Sequence, residues 1–169
     1  MDYRWWQQRR ARRRTPASAV DVPAQAIYAA MVKEVLAPGF REMGLKGSGS
    51  RYSWASQTCW ALMNLQKSAY SDAVEVQFTV NLLVANKQQW EAARSQRTYL
   101  PERPSAGTIY GEPAAQERIG MVRPDRADKW WRIHPEVDLA AVTTNVLNDI
   151  REFALPWLRR QVESRGGAG

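Results

Sequence analysis

Val74-Glu75-Val76-Gln77-Phe78-Thr79-Val80-Asn81-Leu82-Leu83-Val84 puts an apolar residue at every even position, with Glu75, Gln77, Thr79 and Asn81 between them. Side chains of an extended strand point alternately to the two faces of a sheet, so this period of two predicts a strand with one buried and one polar face. The segment before it, Cys59 to Ser68, alternates in the same way. Cys59, Ala61, Met63 and Leu65 share one side, and Trp60, Leu62, Asn64, Gln66 and Ser68 the other. The polar stretch Tyr70-Ser71-Asp72-Ala73 allows the two to close as a hairpin. Arg51 to Ser56 supplies a third strand. Arg118 to Arg123 and Lys129 to His134 flank the turn Pro124-Asp125-Arg126 as two more, giving about five in all.

Helices are expected at both ends of this block. From Ala24 to Leu36, Ile27, Met31, Val32, Val35 and Leu36 recur at helical spacing, with Asp21 or Val22 as the cap. Pro38-Gly39 should kink or break that helix, a short continuation through Phe40 and Met43 ends at Gly44, and Gly47-Ser48-Gly49-Ser50 reads as a flexible turn. A helix around Gln88 to Gln96 leads into a Pro/Gly-rich loop from Pro101 to Pro113. Near the C-terminus, Asp138 is an N-cap, and Leu139, Val142, Val146, Ile150, Phe153 and Trp157 form one apolar stripe that Pro156 should bend or restart. The expected architecture is α+β, an antiparallel sheet of about five strands with the N- and C-terminal helices packed on one face. It occupies residues 23–163, between an Arg-rich tail and linker at 1–22 and a frayed end at 164–169.

Composition narrows the chemistry. At 169 residues and 19.3 kDa, with 44% apolar residues and eight Trp, the chain fits one folded domain with a real core. A lone cysteine, Cys59, excludes an internal disulfide framework, and with the lone histidine, His134, it leaves no usual ligand set for zinc. No metal and no cofactor are expected. Apolar runs fall short of a membrane helix and the N-terminus lacks the apolar stretch of a secretory signal, so the expected location is cytoplasmic.

The formal charge of +7 is concentrated at one end, where Arg4, Arg9, Arg10, Arg12, Arg13 and Arg14 stand against Asp2 alone. Interleaved with Tyr3, Trp5 and Trp6, these arginines could neutralise phosphates while the rings stack on bases, or could rest on an anionic membrane surface. The plainer reading is a charged extension with no defined site. Nucleic-acid contact is expected through this tail only.

Most familiar catalytic patterns are missing. Gly44 to Ser50 lacks the glycine and lysine spacing of a phosphate loop, and Ser48 and Ser50 lack the nucleophile-elbow arrangement. Cys59 sits on an alternating strand as a small hydrophobe, and Glu91 and Glu102 show no glycosidase geometry. One constellation remains. Pairing of the central strands puts Asn64 and Gln66 on one face with Gln77, Thr79 and Asn81, to which the last strands add Arg118, Trp130, Arg132 and His134. Amides both donate and accept hydrogen bonds, so this face could read a ligand or a peptide while Trp130 adds apolar area. Equally, it is the solvent side of an antiparallel sheet. An enzymatic alternative uses Lys67 or His134 as acid/base with Arg118 holding an anion.

Gly44-Leu45-Lys46-Gly47-Ser48-Gly49-Ser50-Arg51-Tyr52-Ser53, Asn64-Leu65-Gln66-Lys67-Ser68, Phe78-Thr79-Val80-Asn81-Leu82, Arg118-Ile119-Gly120, Trp130-Trp131 and Leu155-Pro156-Trp157 together resemble the bacterial family called domain of unknown function 4304. The likeness spans about Ala26 to Val162, and its most specific part is Gln66-Lys67-Ser68 followed by Phe78 and Asn81. The resemblance implies a compact α+β domain with no cofactor established for the family, and it assigns no catalytic residue. The expected function is a non-enzymatic binding or accessory module, of immunity type among the options. Its candidate contact residues are Asn64, Gln66, Lys67, Ser68, Gln77, Asn81, Arg118, Trp130 and His134, with the loop from Pro101 to Pro113; the polar sheet face carries them except Lys67, which alternates with Gln66 and should face the core side or the strand's end.

Overall fold

The computed structural model describes residues 22–167, so the expectations for Arg4 to Arg14, Trp5, Trp6 and Asp21 lie outside the described residues. The fold is α+β, with six antiparallel strands. These are β1 (Lys46–Ser48), β2 (Arg51–Ser53), β3 (Cys59–Lys67), β4 (Val76–Asn86), β5 (Ala115–Arg118) and β6 (Trp131–Ile133). They pair in the order β1-β2-β3-β4-β5, and β6 pairs with the first part of β4. The β3–β4 ladder runs from Cys59 opposite Asn86 to Lys67 opposite Phe78, in the phase the alternation predicts. The strand starts at Val76 and not Val74 because the Asp72 carboxylate accepts the backbone N–H groups of Val74 and Glu75 at 2.7 and 2.9 Å, which turns the chain there.

Two expectations for the other strands are corrected. Gly47-Ser48 is the outer strand β1 and not a flexible turn. Gly47 has φ 142°, and a Cβ there would lie 2.1 Å from the Arg51 carbonyl oxygen, so only glycine permits this hairpin. Arg118 to Arg123 is not a strand. Strand β5 stops at Arg118 and a helical turn, α4 (Ile119–Val122), follows, because backbone at Ala127 and Lys129 crosses against Gly120, where a Cβ would meet the Ala127 oxygen at 2.1 Å.

Each long helix contains one wide turn. The first runs from α1 (Ala24–Met31) through a π-helical turn at Val32–Leu36 into α2 (Ala37–Glu42). At the C-terminal end, α5 (Leu139–Asp149) passes through a π-helical turn at Ile150–Ala154 into α6 (Leu155–Gly166). Ala37 N–H donates to the Val32 oxygen and Leu155 N–H to the Ile150 oxygen, each one residue before a proline. A proline ring clashes with the carbonyl four residues back. For Pro38 and Pro156 that carbonyl belongs to Glu34 and Glu152, inside the wide turn, so neither helix breaks. The buried residues Ala24, Tyr28, Val32, Leu36 and Phe40 recur at steps of four, as do Val146, Ile150, Ala154 and Leu158. Steps of four drift by about 40° each on a regular helix, and the wide turn takes up that drift. It also rotates Val35 outward to 40% exposure, against the expectation that Val35 belonged to the buried stripe.

Pro23, not Val22, caps α1, without a side-chain bond. Asp138 caps α5 through Ala141 N–H, and Asn86 caps α3 (Lys87–Gln96) through Gln89 N–H. Helix α6 continues through Ser164 to Gly166, where fraying was expected. It is held because Asn86 Nδ2 donates to the Arg165 carbonyl (2.9 Å) and the Arg165 guanidinium donates to the Pro113 carbonyl (2.9 Å).

The main core lies between the even-numbered residues of β4 and the two long helices. Phe78 is fully buried at its centre, edge-on to Tyr28 with ring centres 5.1 Å apart and stacked on Trp131 at 5.4 Å. A smaller core occupies the other face. There α3 and the loop after it cover Leu62, Leu83 and Ala85 with Trp90, Leu100, Ala106 and Ala114. The Pro101 to Pro113 loop thus closes half of the face that alternation predicted to be wet, and Trp90 Nε1 fastens it by donating to the Pro101 carbonyl at 3.0 Å.

Candidate functional site

The expected polar constellation shares one face. Register sets Gln66 opposite Thr79, Asn64 opposite Asn81, Arg118 beside Asn81, and Arg132 beside Gln77. Trp130 precedes β6 and His134 follows it. Lys67, as its strand phase predicts, lies opposite Phe78 and projects to the helix-covered side. Sheet thickness therefore separates Lys67 from Arg118 and His134.

Several polar groups on this face are hydrogen-bonded within the protein, whereas the buried Thr79 hydroxyl has no hydrogen-bond partner among the described residues. Asn81 Nδ2 donates to Gln66 Oε1 at 2.6 Å, and Gln77 Nε2 donates to the Oε1 of the buried Glu75 at 2.6 Å. Asn64 Nδ2 donates to the Ser50 carbonyl and the Ser68 hydroxyl accepts Tyr70 N–H, a turn contact. Arg118 donates to both Asp128 oxygens (3.0 and 3.1 Å) and lies over the Trp130 ring, whose Nε1 donates to the same carboxylate at 2.8 Å. Partial burial works to raise the Asp128 pKa, but the hydrogen bonds from Trp130 and Arg118 outweigh it and hold the carboxyl below its usual range. In the Asn81–Gln66 pair each amide spends one of its two polar atoms, which leaves Gln66 Nε2 and Asn81 Oδ1 for solvent or a ligand.

A different arrangement forms where α1 and α2 pass the β1–β2 hairpin. The helices and the hairpin turn enclose a groove of about 780 Å³. Its floor is apolar, with Tyr28, Ala29, Val32, Ala37 and Leu65, and Lys33, Arg41 and Lys67 bring three cations to it. Among the described residues, none that lines it is a carboxylate. Ser48, Gly49 and Ser50 close one side. Lys67 Nζ donates to Gln25 Oε1 at 3.1 Å and stands 5.6 Å from the Tyr28 ring centre. Arg41 donates to the Gly47 carbonyl through Nε (3.2 Å) and Nη2 (3.1 Å), a neutral acceptor that leaves its charge uncompensated. Burial, with a smaller contribution from Tyr52, pushes the Tyr28 phenol up to about 12, so it stays protonated on the groove floor at neutral pH.

Of these residues the sequence singled out only Lys67. Tyr28, Lys33, Arg41, Ser48 and Ser50 were missed, yet a signal was present for two. Neither Lys33 nor Arg41 has an acidic residue three or four positions away on its helix, so the helix itself supplies no ion-pair partner. Tertiary placement of the glycine hairpin beside them had no local signature.

Cys59 is buried and unpaired, and among the described residues no group of three His, Cys, Asp or Glu could hold a metal ion. Likewise, no helix among them is long and apolar enough to cross a membrane. No curated protein and no solved structure matches the chain. A family match does exist, to the family described as Domain of unknown function (DUF4304), over residues 36–160. That span starts within the first wide helical turn, covers all six strands and ends in α6, so it includes the hairpin, the polar sheet face and most of the groove. The chain belongs to the domain of unknown function 4304 family.

Proposed function

We propose that this domain is a binding module whose ligand joins an anionic group to an apolar body and sits in the groove between the first helix and the β1–β2 hairpin. The observation that carries this reading is the grouping of Lys33, Arg41 and Lys67 over an apolar floor that no carboxylate of the described residues lines. The volume, about 780 Å³, lies in the range of small-molecule sites. Cations that form no ion pair among the described residues are ready to meet an anion, and the floor rewards burial of an apolar group. An accessory or immunity-type role would be one setting for such a module.

Anilinonaphthalene sulfonate, an apolar ring system bearing one sulfonate, is a suitable probe. Saturable fluorescence enhancement is expected with the full chain, weakened about tenfold in Lys33→Gln/Lys67→Gln, a loss of about 1.4 kcal/mol. Ala29→Trp, at an exposed helix position facing the groove, should block the probe while leaving the melting curve unchanged. Unaltered probe binding in both variants overturns the proposal.

A further inference from the structure

The β1–β2 hairpin has a second cleft on its other side. It measures about 600 Å³ and carries Lys46, Arg51 and Arg103, with Ser53, Asn64 and Ser105 among its polar lining. Register explains the division. Arg51 pairs with Asn64 and faces the second side of the sheet, while its neighbour Tyr52 pairs with Met63 and is buried under the helices. The two clefts share Ser48 at the outer edge, and no carboxylate among the described residues lines either.

The charge is segregated accordingly. Residues 22–167 hold 18 Lys and Arg against 15 Asp and Glu, and six of those 18 cations border the hairpin, so the remainder has 12 against 15 and is net negative. The hairpin is the positive pole of the described body. Summed fields of this kind draw in and orient a polyanion.

We infer that one strand of single-stranded nucleic acid straddles the β1–β2 hairpin, its backbone phosphates meeting Lys33, Arg41 and Lys67 on one side and Lys46, Arg51 and Arg103 on the other. This rests on the reading above and names its ligand class, since a nucleotide is an anionic group joined to a flat, largely apolar ring. Proteins hold single strands with a positively charged groove that tracks the backbone, often helped by aromatic stacking. Here the cations supply that track, and the aromatic lining residues, Tyr28 in the first cleft and Tyr52 in the second, are buried, so phosphate contacts carry the binding. An acidic peptide would meet a free sheet edge by adding a strand through main-chain hydrogen bonds. In the middle of that edge, the Gly47 carbonyl is already taken by the Arg41 guanidinium.

The test uses the full chain, a labelled oligothymidylate of about 12 nucleotides, a length within the range such sites cover, and anilinonaphthalene sulfonate as the small probe. Any contribution from the N-terminal arginines is common to all variants and cancels in the comparison. Arg51→Gln/Arg103→Gln should weaken oligonucleotide binding about tenfold and flatten its logarithmic salt dependence by about 1.4, the share of two lost phosphate contacts, while leaving the small probe untouched. Lys33→Gln/Lys67→Gln should weaken both ligands. Oligonucleotide binding indifferent to Arg51→Gln/Arg103→Gln overturns this inference and leaves the groove reading intact, whereas indifference of the small probe to Lys33→Gln/Lys67→Gln overturns the groove reading itself. Polyglutamate of equal charge competing as well as unlabelled oligothymidylate also overturns the inference, because charge alone would then account for binding.

Discussion

The two faces of the sheet are stabilised by different means. Under the long helices, β4 offers Val76, Phe78, Val80, Leu82 and Val84, all fully buried in one continuous apolar cluster. The opposite face is split. Leu83 and Ala85 belong to the small core under α3, while Gln77 and Asn81 are held by side-chain hydrogen bonds. Apolar burial is non-directional and tolerates neighbours of many shapes, whereas an amide pair holds only while both partners stay in place. The same strand is therefore anchored by volume on one side and by geometry on the other.

Deleting volume should produce the largest effect. Phe78→Ala removes a fully buried ring from between Tyr28 and Trp131 and should cost about 3–5 kcal/mol, read as a shift of the urea midpoint at constant slope. Leu83→Ala, in the smaller core, should cost less, within about 2–5 kcal/mol. A greater loss at Leu83 than at Phe78 would reverse the ranking of the two cores.

Alkali should attack the helix side. The Tyr28 pKa is raised from 10.0 to about 12 in the fold, chiefly by burial, so the unfolded chain gives up the phenolic proton first. Stability from this group is full below about pH 10 and is lost as pH rises through about 12. Tyr28→Phe should shift the alkaline melting transition upward; an unchanged transition would place the sensitive group elsewhere. On the polar side, Asn81→Ala leaves Gln66 Oε1 without its donor and should cost about 1–3 kcal/mol in a thermal melt. Losses near zero would make that face a merely solvated surface.

The smallest effect concerns acid. Asp128 has its pKa lowered in the fold because hydrogen bonds from Trp130 and Arg118 outweigh the burial that would raise it. Its contribution is present above the ordinary aspartate pKa and is lost as pH falls through the lower folded value. The pair with Arg118 is largely open to solvent, so Asp128→Asn should change stability at neutral pH by less than about 1 kcal/mol and slightly reduce the acid sensitivity of the melt. A large loss at neutral pH would mean that the Arg118–Asp128–Trp130 cluster does more than pair exposed charges.

The central sheet was legible because strand period is a local property: each of the even positions from Val76 to Val84 could be assigned a side without knowing what lay above it. What escaped was whatever depends on close approach of distant segments. Gly47 read as part of a flexible turn and Gly120 as a strand residue, yet each stands where another backbone leaves no room for a Cβ, and those contacts create strand β1 and the helical turn after Arg118. Alternation assigned the polar residues to one face and Lys67 to the helix side, as the register has them. The hydrogen bonding among the polar residues could not be read, because alternation assigns faces and not partners. The basic groove was hidden for a related reason, since it joins Lys33 and Arg41 on the first helical segment to Lys67 on β3 across a hairpin with no local motif.

The wide turns before Pro38 and Pro156 bear on how the chain tolerates changes in length. A π-helical turn amounts to one residue inserted into an ordinary helix, and removing a residue from it can restore regular winding. In Val32–Leu36 such a deletion would rotate everything downstream by about 100° about the helix axis. It would swing Phe40 off the Tyr52 ring it meets edge-on at 4.9 Å and carry Arg41 away from Gly47. The same deletion in Ile150–Ala154 would move Leu158 off the sheet. Shortening a loop such as the exposed stretch from Gly107 to Ile109 disturbs far less packing. Length changes in this fold should therefore be accepted in the second-face loop and rejected within the two helices, even at a position as exposed as Val35.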